Sequence, residues 1–244
     1  MINQKIQLSN HIYCDELFNT INIENLLLAN QYKDFPYLII NDFFSAELCK
    51  EIVDASKENE KVKVAQVKAN SVNGVIVPKT NQKFRKTNIL KWNDEFKSIY
   101  RKQFLHFQPM IEEYFNAPIT YSTKVQMLQY KEGFFYIKHS DDSSELIDEN
   151  QNTVGFSVVA PRRKLTTVLF TTTCDEHTNS EYHFSGGELV FNYLYDKDNN
   201  QIKFSPKAGD MIVFPSNPYF SHEVLTVKSG YRLSLVQWHD TINL

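Results

Sequence analysis

The chain has 244 residues, enough for one sizeable core. Apolar residues make up 42 %, which excludes a disordered or membrane-embedded chain. Net charge is −3 with no basic block, which excludes a nucleic-acid footprint.

Three cysteines, Cys14, Cys49 and Cys174, are odd in number and widely spaced. They predict no disulfide framework and a reducing compartment. The opening MINQKIQLSN has no apolar signal region, and no apolar run approaches the ~20 residues of a membrane helix. A cytoplasmic protein with no membrane partner is expected.

In residues 1–35, Leu17, Phe18, Ile21, Leu26 and Leu27 are spaced to share one helical face. A partly helical N-terminal extension is expected there, ahead of one domain over 36–244. FPYLII reads as a short buried strand. Ser45 then caps a helix whose apolar positions are Leu48, Ile52 and Val53. Residues 93–116 predict a longer amphipathic helix, with Phe96, Tyr100, Phe104, Phe107, Ile111 and Tyr114 three and four apart. Pro109 should kink or split it.

After Ala117 the texture changes. KVQMLQY, FFYIKH, KLTTVLFTTT, GELVFNYL, QIKFS, DMIVFP, SHEVLTV and YRLSLVQW are eight strand candidates separated by turn residues. Such a succession predicts a sandwich or barrel. The polar stretch from Asp142 to Arg162 reads as a lid or substrate loop.

The chemistry centres on YIKHSDDS. In a strand, His139 and Asp141 point to one side. They are either polar residues where a strand leaves the core or two ligands of a metal. Two histidines and one carboxylate on one face of an octahedron hold Fe(II) with open positions. His222 is the candidate third ligand because it opens the segment HEVLTVKSGYRLSLVQW. This segment reads as a hairpin looping at Lys228-Ser229-Gly230, with Gly230 left-handed. That register opposes Thr226 to Arg232, Val224 to Ser234 and His222 to Val236, so His222, Arg232 and Ser234 share a side. Thr226 lies about 13 Å along the strand from His222, so an arginine reaching back leaves room for a dicarboxylate. A zinc site would not require such an anchor.

HSD, SGGELVF and PKAGDMIVFPSNPYFSHEVLTVKSGYRLSLVQW, in that order, resemble the prolyl 4-hydroxylase-like group of Fe(II)- and 2-oxoglutarate-dependent dioxygenases. FPYLIINDFFSAELCKEI resembles that group's strand-helix opening, and QYKEGFFYIKHSD its approach to the first histidine. The resemblance spans roughly residues 36 to 239. It implies a mainly β fold with flanking helices and a double-stranded β-helix (jelly-roll) core, the metal sitting at one mouth. It implies His139, Asp141 and His222 as iron ligands, and Arg232 with Ser234 on the distal carboxylate of 2-oxoglutarate. Tyr130, in the QYKEG segment, is implied as a co-substrate or pocket contact. Relatives often have a tyrosine where this chain has Phe170, which leaves Thr166 or Tyr130 as its substitute.

The implied function is an Fe(II)- and 2-oxoglutarate-dependent dioxygenase with ascorbate as a candidate reductant. It would hydroxylate an unactivated C–H bond of an amino-acid-derived or peptidyl, even prolyl, substrate, using molecular oxygen and releasing succinate and carbon dioxide. Asp141 points to hydroxylation, because halogenating relatives lack that carboxylate. The rival reading is a non-catalytic β-barrel that binds a small ligand.

Other polar residues have simpler readings. Cys174, His177 and His183 mimic a zinc pattern but lack a fourth ligand, so they read as loop. Gly186-Gly187 reads as a tight strand entry, Asp142 as a turn cap and His239 as surface. Arg162 and Arg163 either contact an anionic substrate from the mouth or form a solvated face, and Arg85, in KFRKTNIL, sits where relatives often place a substrate-facing loop.

Overall fold

The computed structural model describes residues 36–58, 84–147, 153–176 and 180–242, and the backbone of 62–64, 67–70 and 76–79. The expected N-terminal extension, Cys14 and His177 lie outside the described residues.

In chain order the elements are β1 (Leu38–Ile40), α1 (Ala46–Lys57), β2 (Val62–Val64), β3 (Val67–Asn70), β4 (Ile76–Lys79), β5 (Arg85–Lys86), β6 (Asn88–Leu90) and α2 (Asp94–Phe115). Next come β7 (Ile119–Ser122), β8 (Gln126–Tyr130), β9 (Phe135–His139), β10 (Ser143–Ile147), β11 (Thr153–Val158), β12 (Leu165–Phe170), β13 (Thr173–Cys174) and β14 (His183–Gly186). The chain ends with β15 (Leu189–Tyr195), β16 (Gln201–Phe204), β17 (Met211–Pro215), β18 (His222–Val224), β19 (Val227–Gly230) and β20 (Arg232–Thr241). All eight predicted strand segments form strands.

Two sheets carry the fold. The larger runs β1-β17-β12-β20-β8-β6-β2, with β7 beside β20. The smaller runs β16-β15-β18-β9-β5. Period-two alternation decides which way each side chain goes. Val168, Phe170, Ile212, Phe214, Val236 and Trp238 of the larger sheet share a core with Leu189, Phe191 and Val224 of the smaller. Their neighbours Leu165, Leu169, Met211, Val213, Leu233 and Leu235 pack on the other face with residues of both helices. Two facing sheets with helices backing one of them make the expected jelly-roll core.

The helices start at their caps. The Ser45 hydroxyl accepts from the Leu48 N–H at 3.2 Å, and the Asn93 side chain accepts from the Phe96 N–H at 2.8 Å. Proline does not split the second helix, which runs unbroken from Asp94 to Phe115. Pro109 is exposed, while Phe104 and Ile111 on either side are buried. Burial of both halves against the sheet outweighs one lost backbone bond.

Three expectations are corrected. Residues 222–238 are not a hairpin: β18 pairs with β15 and β9, β19 with β14, and β20 with β12 and β8. Gly230 is nonetheless left-handed, at φ 81°, and a Cβ there would lie 2.2 Å from the His183 carbonyl oxygen. The polar stretch after Asp142 does not interrupt the strand pattern but forms strands, β10 against β11, and Ser143, Ser144, Glu145 and Phe156 from it line the cavity described below. Asp142 binds its own turn through its side chain, Oδ1 accepting from the Ser140 and Ser143 hydroxyls at 3.1 and 2.6 Å, while its carbonyl accepts from the distant Val159 and Ala160 N–H groups at 2.8 Å.

The third correction is His239, which is 0 % exposed rather than on the surface. Its ring lies flat on Phe104 at 4.7 Å, with Nδ1 2.8 Å from Ser122 Oγ and Nε2 3.1 Å from Thr167 Oγ1. Burial pushes its pKa down from 6.5 to about 3. The unfolded imidazole takes a proton near 6.5, the folded one only near 3. The stability this neutral ring contributes is therefore complete above pH 6.5 and lost progressively as pH falls toward 3. His239→Gln is expected to flatten the fall of urea midpoints between pH 6.5 and 4. Parallel curves for the two proteins would refute the assignment.

Candidate metal centre

His139 ends β9 and His222 opens β18, and the two strands pair with these residues directly opposite. Asp141 comes two residues after His139. One ligand atom from each of the three lies within 4.8 Å of the others. Both imidazole Nε2 atoms are 3.9 Å from the Asp141 carboxylate, His139 from Oδ1 and His222 from Oδ2. Each Nδ1 is 2.9 Å from a backbone carbonyl oxygen, Ile137 for His139 and Phe220 for His222. Those carbonyls fix the proton on Nδ1 and leave both Nε2 lone pairs aimed at one point.

The ionisation suits a metal. Burial, then the neighbouring His222, pushes the His139 pKa down to about 3, so the ring is neutral. Burial opposes the charge of Asp141, but His222, His139, the Thr166 hydroxyl and Arg163 together hold its pKa below the usual carboxylate value. Two imidazoles and a carboxylate are the donor set that suits ferrous iron. Among the described residues no other group of this kind is found.

The three groups open into a cavity of about 1040 Å³ between the sheets. Its larger-sheet wall is written in alternate residues: Gln126, Leu128 and Tyr130, then Thr166 and Val168, then Arg232, Ser234, Val236 and Trp238. The expected pairing of Arg232 with Ser234 on one side therefore holds, through strand period rather than the expected hairpin.

Arg232 is 1 % exposed. Its Nε donates to the Gly187 carbonyl at 2.8 Å and its Nη1 to Ser234 Oγ at 3.2 Å. The guanidinium is 4.6 Å from the Tyr130 ring, 5.1 Å from Phe170 and 5.8 Å from Phe184. Burial lowers its pKa, yet no carboxylate among the described residues pairs with it. A guanidinium held this way remains charged and calls for an anion. Gly187 makes room for it: at φ 65°, a Cβ there would lie 3.1 Å from Arg232 Cδ and 2.8 Å from Val227 Cγ2.

Tyr130 lies opposite Arg232 across β8 and β20 and lines the cavity. Thr166 is engaged elsewhere. Its Oγ1 donates to Asp141 Oδ2 at 2.7 Å and lies 2.8 Å from Ser216 Oγ. A hydroxyl has one hydrogen, so Ser216 must donate to Thr166. Thr166 also sits about 13 Å along β12 from Phe170, the residue packed on Arg232. It orients a metal-binding carboxylate and does not replace the absent tyrosine. Thr166→Val is expected to weaken Fe(II) or Mn(II) binding about 10-fold or more, with Thr166→Ser close to wild type. Metal titrations of both variants check this; equal affinities would deny Thr166 that role.

Ser216, the stack of Tyr136 on His139 (3.5 Å, 15°) and the Lys138–Glu145 ion pair at 2.8 Å were not anticipated. Trp238 was foreseeable, because it continues the alternation that begins at Arg232. Cys174 and His183 lie on β13 and β14 and belong to no metal group among the described residues. The same cavity wall holds Arg85 and Arg163, while Arg162 pairs with Asp240 at 2.9 Å.

Residues 125–240 match the family described as the 2OG-Fe(II) oxygenase superfamily. No curated protein matches the chain. Among solved structures, a Pseudomonas putida prolyl-4-hydroxylase is similar at 19 % identity and a TM-score of 0.57, covering 84 % of this chain and 92 % of that one. A Trichoplax adhaerens prolyl hydroxylase, in complex with a hypoxia inducible factor oxygen degradation domain peptide fragment, is similar at 20 % identity and a TM-score of 0.59, covering 88 % of each. An oxidoreductase of the 2OG-Fe(II) oxygenase family from Burkholderia pseudomallei is similar at 16 % identity and a TM-score of 0.51, covering 96 % and 95 %. At these identities the likeness is one of fold. No helix among the described residues is long and apolar enough to cross a membrane.

Proposed function

We propose that the chain, whose residues 125–240 match the 2OG-Fe(II) oxygenase superfamily, is a 2-oxoglutarate-dependent dioxygenase that hydroxylates an unactivated C–H bond of an amino-acid-derived or peptidyl substrate. The observation that carries this reading is one cavity shared by a two-histidine, one-carboxylate triad and a buried, unpaired arginine. The chemistry supplied by bound iron and 2-oxoglutarate is oxidative decarboxylation of the keto acid by dioxygen, giving succinate and carbon dioxide, coupled to oxidation of a C–H bond.

The protein's part is binding and placement. His139, Asp141 and His222 would hold the metal from one side and leave its other side to the cavity. The Arg232 fork, with Ser234, would take the distal carboxylate of 2-oxoglutarate in bidentate fashion. The Tyr130 and Phe170 rings fix that fork in place, so little ordering remains to be done on binding. Apolar side chains such as Leu128, Val168, Val224 and Val236 line the rest and keep bulk water from the reacting centre. Two of the structural relatives are prolyl hydroxylases, so prolyl peptides belong among the substrates to test.

The test has two stages. Fe(II) and 2-oxoglutarate added without oxygen should give a weak visible charge-transfer band, and admitting oxygen with substrate should give succinate. Mass spectrometry on prolyl peptides and free amino acids should then find one set gaining the mass of one oxygen atom. No band and no succinate would leave only a ligand-binding barrel.

A further inference from the structure

Among the described residues, Arg232 is one of three arginines in the cavity wall, and co-substrate binding accounts for it alone. The other two, Arg85 and Arg163, flank the triad. The Arg85 guanidinium lies 4.5 Å from the Tyr136 ring, and Tyr136 stacks on His139 at 3.5 Å. Arg85 is thus layered on the His139 side of the centre. The Arg163 guanidinium lies 3.9 Å from the Trp238 ring, and its Nη1 donates to the Asp141 carbonyl at 3.1 Å. Arg163 is therefore on the Asp141 side.

Neither guanidinium has an acidic partner among the described residues, and Arg85 Nε is buried with no hydrogen-bond partner. The chain does pair cations elsewhere. Lys138, in the same wall, meets Glu145 at 2.8 Å, and Arg162, next to Arg163, meets Asp240 at 2.9 Å. Two cations placed over aromatic rings, half-buried and without an ion pair among the described residues, beside a reaction centre, favour an anion that arrives with the substrate. A planar fork on a rigid ring matches a carboxylate. A phosphate is less well served: among the described residues the wall contains no glycine, and neither α1 nor α2 begins there. The cavity is large enough for 2-oxoglutarate and a second small molecule together.

We propose that the primary substrate is a small carboxylic acid, such as a free amino acid, held through carboxylate by Arg85 and Arg163 above the metal centre. The proposal rests on the dioxygenase reading of the same site. It excludes a neutral peptide segment as the preferred substrate.

Calorimetric titration of the anaerobic Fe(II)–2-oxoglutarate complex tests it. The probes are the common amino acids and simple carboxylic acids, their primary amides, and prolyl peptides with blocked ends. At least one acid should bind, and its amide should bind about 10- to 100-fold more weakly. Arg85→Gln and Arg163→Gln should each weaken the acid by a similar factor while the 2-oxoglutarate band still forms at the wild-type concentration. If a glutamine variant loses the band, Arg85→Lys or Arg163→Lys takes its place, keeping the charge without the fork, with an intermediate loss expected.

Acid and amide binding equally would overturn the proposal. So would variants that bind the acid like wild type, binding confined to blocked peptides, or no acid binding although the band forms. Those results leave the dioxygenase reading standing. Failure of the band itself in wild type would remove both.

Discussion

His222→Ala is expected to abolish iron retention and, with it, 2-oxoglutarate turnover. His222 supplies one of three donor atoms, and its Nε2 stands 3.9 Å from Asp141 Oδ2. Without it, one imidazole and one carboxylate remain on that side of the metal. Loss of even an outer partner of a metal ligand costs about 10- to 100-fold in affinity, so loss of a ligand should exceed the upper end. The fold should survive. His222 is 5 % exposed and packs against Phe214 at 5.0 Å and Phe191 at 6.3 Å. Its truncation leaves a small cavity in a wall that already borders a larger one, a loss on the order of 2–3 kcal/mol. Iron per chain after desalting, read beside a circular dichroism melt, separates the two effects. A folded variant that keeps one iron per chain would remove His222 from the ligand set.

The triad and the proposed anchor are legible because each has a local signature. His139 and Asp141 are two apart, and Arg232 and Ser234 are two apart, so strand period alone decides that each pair shares a face. The path connecting them was not legible. His222 and Arg232 look like opposed arms of one hairpin because Gly230 offers a turn between them. In the fold, β20 is a ten-residue central strand with β12 on one side and β8 on the other. Both of its edges are taken by distant segments, so β18 pairs in the opposite sheet, and the two residues meet across the cavity instead.

Thr166 and His239 were misread for the same reason. Their partners, Asp141 and Ser216 for one, Ser122, Thr167 and Phe104 for the other, are distant in sequence. The β10–β11 hairpin was hidden by composition. Its first strand opens on Ser143, Ser144 and Glu145, and although Val154, Phe156 and Val158 alternate along the second, Val154 and Val158 are exposed, so neither strand reads as a buried one.

Arg232→Met is expected to raise the 2-oxoglutarate concentration needed for half-maximal turnover by about 100-fold or more, two charge-assisted hydrogen bonds being lost at once. The effect on the unliganded protein should run the other way. Arg232 is a buried cation whose described partners are a carbonyl and a hydroxyl, and burial lowers its pKa. An apolar side chain of similar length removes that desolvation cost and keeps contact with Tyr130, Phe170 and Phe184. The variant without ligand should melt at or above the wild-type temperature. Ligand stabilisation obeys mass action, so 2-oxoglutarate at a hundred times the wild-type Kd should stabilise the wild-type Fe(II) protein by about 2.7 kcal/mol and the variant far less. The crossing of the two melting series, variant ahead without co-substrate and behind with it, is what an anion anchor requires. A merely structural arginine would give a variant that melts lower under both conditions and responds to 2-oxoglutarate as wild type does.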